Sequence, residues 1–302
     1  MDPLTLPGMS DPLWNSVFGL ALRRLTCIAS DTGCEKCSLQ TRCDYFLLTR
    51  GTATPGPSEQ GLAERLKTRP PPLIFHGPVR DFSLRVPANA TFSAGLVLVG
   101  NGNARVHTVL RALALAGDLG IGRDRGHFHL LQVLRTGPGP LNQYLFQGND
   151  IPPPEAASLP KIPQLVIINL LTPWLLPNTL KYRHINEPKA LVRDFLGKVI
   201  RRISLMQQCH TAHPLETDFK SLFKQIEKVN LNQADFDITT GYRHGKGRFT
   251  AVRGSFVLDM TEMEDIWPFL WTGQWLNVPK MAAKGFGRYE ICALSSLYTE
   301  IC

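Results

Sequence analysis

Trp267-Pro268-Phe269-Leu270-Trp271-Thr272-Gly273, then Lys284-Gly285-Phe286-Gly287-Arg288, then the run Tyr289 to Ala293 form the stretch that decides the architecture. Met263 to Trp271 has the spacing of a short helix. The two glycines between basic residues make a tight turn, and Tyr289 to Ala293 has the composition of a strand. Upstream, Arg248 to Met260 reads as one or two strands and Asp218 to Val229 as a helix. Ala190 to Gln207 predicts a longer helix. Val192, Phe195, Leu196, Val199, Ile203 and Met206 share its apolar face, and Arg193, Lys198, Arg201 and Arg202 its other face. Gln164 to Leu171 opens this half as an apolar strand.

The first half repeats the outline. Thr91 to Val99 is a β-rich run. Ala104 to Ala116 carries Val106, Val109, Leu110, Leu113 and Ala116 at helical spacing. A glycine-rich turn follows, Gly117-Asp118-Leu119-Gly120-Ile121-Gly122-Arg123-Asp124-Arg125-Gly126, and Phe128 to Leu134 reads as a strand. Strand, helix, strands, helix, turn, strand is the order of a βαββαβ unit. The predicted fold class is therefore α+β, with tandem ferredoxin-like (RRM-like) domains. Gly51 to Gln60, Thr68 to Pro72 and Thr136 through Pro163 read as linkers or loops. Gly137-Pro138-Gly139-Pro140 and Ile151-Pro152-Pro153-Pro154 remove donors and fix φ in the last of these. This places an N-terminal domain at 1–150, with a cysteine-rich insertion at 27–43, and a C-terminal domain at 151–302. No solenoid-type period is present.

The 302 residues are 43% hydrophobic and 19% charged, a composition that folds rather than stays disordered. The formal net charge of +8 favours a polyanionic partner, because cations that neutralise phosphates release counterions. Met1 to Trp14 has neither the basic nor the apolar region of a signal peptide. Leu165 to Leu176 is too short to span a bilayer and is broken by Asn169 and Pro173. The expectation is a soluble, cytoplasmic protein with no membrane partner. Seven cysteines, an odd number, argue against a disulfide framework.

Basic residues flank both glycine turns. Glycine reaches positive φ and lets another backbone approach, and successive N–H groups form an anion nest. Gly120, Gly122, Arg123 and Arg125, and Lys284, Gly285, Phe286, Gly287 and Arg288, are therefore candidate RNA-binding residues. So are Arg193, Arg201 and Arg202, unless their helix face is merely solvated. Neither turn is a nucleotide motif. The first follows a helix rather than a strand. Gly241 to Lys246 has three residues between its glycines, and Gly247 stands where a magnesium-binding Ser or Thr belongs.

Cys27, Cys34, Cys37 and Cys43 have a Cys-x-x-Cys centre and irregular outer spacings. Four thiolates suit a structural zinc or an iron–sulfur cluster, and the alternative is a set of small buried residues in a reducing compartment. The segment Gly241-Tyr242-Arg243-His244-Gly245-Lys246-Gly247-Arg248 combines an imidazole, a phenol and three cations. RNA cleavage without metal needs a base for a 2′-hydroxyl, an acid for the leaving 5′-oxygen and a cation for the phosphorane. His244 and Tyr242 suit the proton transfers, and Arg243 or Lys246 the charge. Arg243, Lys246 and Arg248 also suit RNA binding, whereas the bland alternative is a solvated hairpin turn. His107 on the first helix is a further candidate base. His127, His129, His184, His210 and His213 are scattered without metal spacing.

The chain resembles the CRISPR-associated endoribonucleases that process precursor guide RNA, within the RAMP superfamily. The resemblance runs through Cys43-Asp44-Tyr45-Phe46, Pro70-Pro71-Pro72-Leu73-Ile74-Phe75, Phe92 to Gly100, Leu119 to Phe128 and Tyr242 to Gly254. It is most specific at Trp267 to Leu270 with Gly273, Lys280 and Lys284 to Arg288. It implies two ferredoxin-like domains and binding of a CRISPR repeat hairpin. It also implies metal-independent cleavage of precursor crRNA to a 2′,3′-cyclic phosphate and a 5′-hydroxyl, with no cofactor for catalysis. Retention of the crRNA in an effector complex with other CRISPR subunits is implied as well. The resemblance adds Lys280 to the catalytic candidates and keeps Arg23 and Arg24 in view. The family's closing motif often reads His-Val-Gly-Lys, whereas this chain has Asn277-Val278-Pro279-Lys280. Asparagine cannot be a general base, which keeps open a non-catalytic crRNA-binding subunit. A zinc-containing DNA-binding or adaptor protein is the reading from another class.

Overall fold

The computed structural model describes the chain except residues 1–2, 30–32, 52–68, 81, 138, 145–157, 177–186, 213, 215–216, 244–246, 279–280, 295–299 and 302. It divides into two compact units, Met1–Pro160 with Gln208–Ala212, and Lys161–Gln207 with His213–Cys302.

In the first unit β1 (Leu4–Leu6) leads into α1 (Asp11–Thr26), then α2 (Asp44–Arg50), β2 (Leu73–His76), β3 (Leu84–Val86), β4 (Gly95–Leu98) and α3 (Val106–Leu119). A 3₁₀ turn at Gly100–Arg105 replaces the expected first turn of α3. The sheet is in pieces: β1 pairs with β3, and β2 with β4, all antiparallel. α1 packs against α3. The core joins Leu4, Leu6, Phe18, Phe75, Val109 and Phe128 around Trp14, whose ring lies 5.4 Å from that of Phe128. Asp11 is buried at the start of α1, where its carboxylate accepts the Gly77 N–H at 2.5 Å.

Two expectations are corrected here. Phe128 to Val133 forms no strand, although Phe128 is buried between exposed His127 and His129. Its N–H donates to the Gly117 carbonyl at 3.3 Å, an anchor to a helix end rather than to a ladder. Within the expected loop, Leu134–Gly137 (β5) and Gly139–Tyr144 (β6) pair as antiparallel strands, with Gly137 opposite Gly139. In a two-stranded hairpin both strands are edges, where a missing proline donor costs little.

The second unit holds β7 (Leu165–Leu175), α4 (Pro188–His210), α5 (Phe219–Glu227), β8 (Asn230–Arg243), β9 (Gly247–Asp259), α6 (Trp267–Gly273), β10 (Tyr289–Leu294) and β11 (Glu300–Ile301). Its one sheet has the order β11-β10-β7-β9-β8. Numbered within the unit, the four main strands run 4-1-3-2, the ferredoxin-like arrangement. β7 continues past its expected end at Leu171. Its ladder to β9 shifts register between Leu170 and Trp174, and Pro173 sits in that irregularity, where no ladder N–H is required. Asp218 caps α5 by accepting the Ser221 N–H. The α4 residue Phe195 meets Trp174, Phe256 and Tyr289 edge-on, with centroids 5.1–5.5 Å apart. Cys292 is disulfide-bonded. It stands at the end of the ladder that pairs Ala293 with Ile301.

Among the described residues no helix is long and apolar enough to cross a membrane.

Candidate nucleic-acid interface

The first glycine turn closes on itself. Ile121 and Gly126 form an antiparallel bridge, and Gly120 and Gly122 have φ of +76° and +84°. A Cβ on Gly120 would lie 2.4 Å from the Arg125 carbonyl, and one on Gly126 would lie 2.4 Å from Leu4 Cβ. The space opened by these glycines is thus taken by the turn's own backbone and by β1. Ile121 is buried and pins the turn, while Arg123, Asp124 and Arg125 are exposed at its tip.

The closing loop is tied down more heavily. Thr172 on β7 is fully buried; its hydroxyl donates to the Gly285 carbonyl (2.7 Å) and accepts the Arg288 N–H (2.8 Å). The Gly287 N–H donates to the Pro173 carbonyl (3.0 Å), and the Val278 N–H to the Gly287 carbonyl (2.8 Å). Gly285 and Gly287 have φ of +80° and +74°. A Cβ on Gly287 would stand 2.8 Å from the Val278 carbonyl oxygen. Lys284 is exposed, and Phe286 and Arg288 are half-buried.

Asn277 belongs to this strapping. It is 1% exposed, has φ +56°, and its Nδ2 donates to the Ala282 carbonyl at 3.0 Å. Asparagine is one of the few residues that tolerate the left-handed region. A side chain so enclosed braces the loop from within.

The cations of α4 are largely spent inside the unit. Arg202 is 7% exposed and its Nε donates to the Leu276 carbonyl at 3.2 Å. Arg193 donates to the Glu227 carbonyl. Lys198 pairs with Asp194 and lies 5.8 Å over the Trp174 ring. Arg201 is exposed at the surface but sits 4.9 Å over the Phe223 ring. The expected phosphate-tracking face is corrected accordingly: of Arg193, Arg201 and Arg202, Arg201 alone is exposed, because the others satisfy carbonyls of neighbouring elements.

Of the catalytic candidates, His107 and Tyr242 are among the described residues, His107 in the first unit and Tyr242 in the second. His107 is exposed on α3. On either side of it in sequence, Arg105 and Thr108 bind the Asp44 carboxylate at 2.8 and 3.0 Å and so dock α2 onto α3. Tyr242, Arg243 and Arg248 lie near the end of the β8–β9 ladder, which runs to the pair Arg243↔Gly247. His244, Lys246 and Lys280 lie outside the described residues. Arg23 and Arg24 are exposed in the last turn of α1.

The four N-terminal cysteines are free and half-buried. Cys34 and Cys37 share a tight turn in which the Cys34 carbonyl accepts from the Cys37 N–H and from Gln40 Nε2. Among the described residues no three His, Cys, Asp or Glu side chains are grouped to hold a metal ion. The arrangement therefore does not fit the expected zinc or cluster site.

Fold and surface together define a double ferredoxin-like α+β protein that carries cations at two strapped turns. A structure titled "Cas6 (TTHB231) product complex" is similar over 95% of this chain and 96% of that one, with TM-score 0.51 and 16% identity. Another, "Cas6 (TTHA0078) product complex", is similar over 96% and 97%, with TM-score 0.47 and 16% identity. At this identity the first likeness establishes the fold. No curated protein sequence matches the chain. The family model AF_1859_N, an N-terminal domain, matches residues 1–157, and the chain belongs to that family.

Proposed function

We propose that the protein binds CRISPR repeat RNA and cleaves precursor crRNA as a metal-independent endoribonuclease. The observation that carries this reading is a Cas6-like fold over nearly the whole chain. Exposed cations at both glycine turns, and a net charge of +8, supply the electrostatics an RNA partner requires. In this reading Arg123 and Arg125 meet phosphates in the first unit, and Lys284 does so in the second.

The basic hairpin supplies the chemistry. A base on His244 or Tyr242 takes the proton of the 2′-hydroxyl, which attacks the adjacent phosphorus. The other group protonates the leaving 5′-oxygen, and Arg243, Lys246 or Lys280 holds the phosphorane charge. The products are a 2′,3′-cyclic phosphate and a 5′-hydroxyl. Because Asn277 is a buried strut, its presence does not count against cleavage.

Incubation with repeat-containing RNA in excess EDTA tests this. The expected result is one discrete cut with a cyclic-phosphate end, abolished by a single deoxyribose at the cut site while binding persists. Tight, salt-sensitive binding without a cut would make the chain a subunit that holds crRNA. Equal affinity for DNA and RNA would remove the crRNA reading altogether.

A further inference from the structure

Phe82 is 71% exposed, which is unusual for a large aromatic side chain. Its loop is nonetheless firmly seated. The Arg80 N–H donates to the Gly8 carbonyl at 2.9 Å, and Met9 and Val79 form an antiparallel bridge. A Cβ on Gly8 would lie 2.4 Å from the Arg80 carbonyl oxygen and 3.2 Å from that of Phe82, so the two backbones are in direct contact. The ring is therefore held out from an anchored backbone.

Its surroundings are cationic. Arg80 is exposed two residues before it. Arg85 is exposed on β3, directly opposite exposed Thr5 on β1. Side chains of directly opposed residues share one face of the ladder, so Thr5 and Arg85 point the same way. The other side of β1 meets the first glycine turn, where a Cβ on Gly122 would lie 3.0 Å from the Thr5 carbonyl oxygen. β1 thus touches both the strand that exposes Arg85 and the turn that exposes Arg123 and Arg125. Among the described residues Asp124 is the acid exposed with them, and Asp81 lies between Arg80 and Phe82 in sequence. A flat aromatic face beside several guanidinium groups is the combination that binds single-stranded nucleic acid: the ring stacks a base and the cations hold the backbone on either side.

We propose that Phe82 is a stacking platform for an unpaired nucleotide of the bound RNA, with Arg80 and Arg85 and the turn residues Arg123 and Arg125 holding the adjoining phosphates. This rests on the RNA-binding reading above and extends it to unpaired nucleotides flanking the repeat hairpin.

The test uses the full chain and repeat RNA carrying 2-aminopurine at successive unpaired positions, compared with a hairpin trimmed of its flanks. Phe82→Ala should weaken binding of the flanked RNA about 5- to 150-fold, the range for losing one stacked base. It should leave the trimmed hairpin unaffected and abolish the quenching of one 2-aminopurine. Phe82→Trp should restore both readouts, and Phe82→Leu neither. If Phe82→Ala or Phe82→Leu binds flanked RNA as the unaltered protein does, the platform is overturned while the RNA-binding reading stands. Loss of a co-purifying protein with RNA affinity intact would also overturn it, in favour of a protein interface. If the unaltered protein binds neither RNA, both readings fall together.

Discussion

The two glycine turns look alike in sequence and differ in how they are held. The first, at residues 120–126, leans on β1 and on itself, through one bridge and the buried Ile121. The closing loop is strapped from three sides, by Thr172, by the Pro173 carbonyl and by the Asn277 strut within the chain leading into it. In both, glycine serves the protein's own backbone. What is left for a ligand is the cation at the tip, and the first turn offers two where the second fully exposes only Lys284. The first turn is accordingly built to present charge, and the second to fix a position.

Three substitutions put that contrast at risk. Gly287→Ala should cost about 3 kcal/mol, since a left-handed φ and a contact with Val278 both oppose a Cβ. Gly122→Ala should cost only about 1–2 kcal/mol, because it meets one carbonyl at 3.0 Å. Urea denaturation of the pair measures this, and equal losses would erase the distinction. Thr172→Val should cost about 2 kcal/mol by the same measurement, because it leaves a buried carbonyl and a buried N–H without their shared hydroxyl.

Tyr289 follows the closing loop directly, and its hydroxyl donates to the Leu270 carbonyl at 2.6 Å. Burial raises its pKa well above the ordinary value of 10.0. The neutral phenol is thus favoured in the folded state, and this stability is intact below pH 10. As pH rises further the unfolded chain ionises first and the fold weakens. Tyr289→Phe should cost about 1 kcal/mol at neutral pH and flatten the alkaline limb of a stability–pH curve.

The smallest effect on stability, under about 0.5 kcal/mol, is expected for Arg123→Ala with Arg125→Ala. The same pair should lower the slope of log affinity for RNA against log salt by about two, if each arginine meets one phosphate. An unchanged slope would show that the first turn presents its charge to something else.

The second unit was legible because its elements are long and periodic. β8 was missed, yet Ala234, Phe236 and Ile238 alternate with Asp235, Asp237 and Thr239 as a half-buried strand should. The fate of the α4 arginines was legible only in part. Arg202 falls in line with Phe195, Val199 and Met206 at helical spacing and is buried with them, but no spacing shows that Arg193 reaches the Glu227 carbonyl. The sequence carries no sign that Asn277 is buried. The cysteine pattern suggested a shared ligand set, whereas among the described residues no three such side chains are grouped. Phe82 gave no signal either, since an exposed and a buried phenylalanine are written the same way.

His210 is buried in the first unit although it lies far along the chain. Its Nε2 is 2.8 Å from the Pro70 carbonyl oxygen, its Nδ1 is 3.2 Å from Asn101 Oδ1, and Gly100 leaves room for its backbone. The consequence is one of dissection. Cutting the gene after Pro160 yields a fragment that lacks a piece of its own interior. A first-unit fragment should become well behaved only when a peptide spanning Gln208–Ala212 is returned to it.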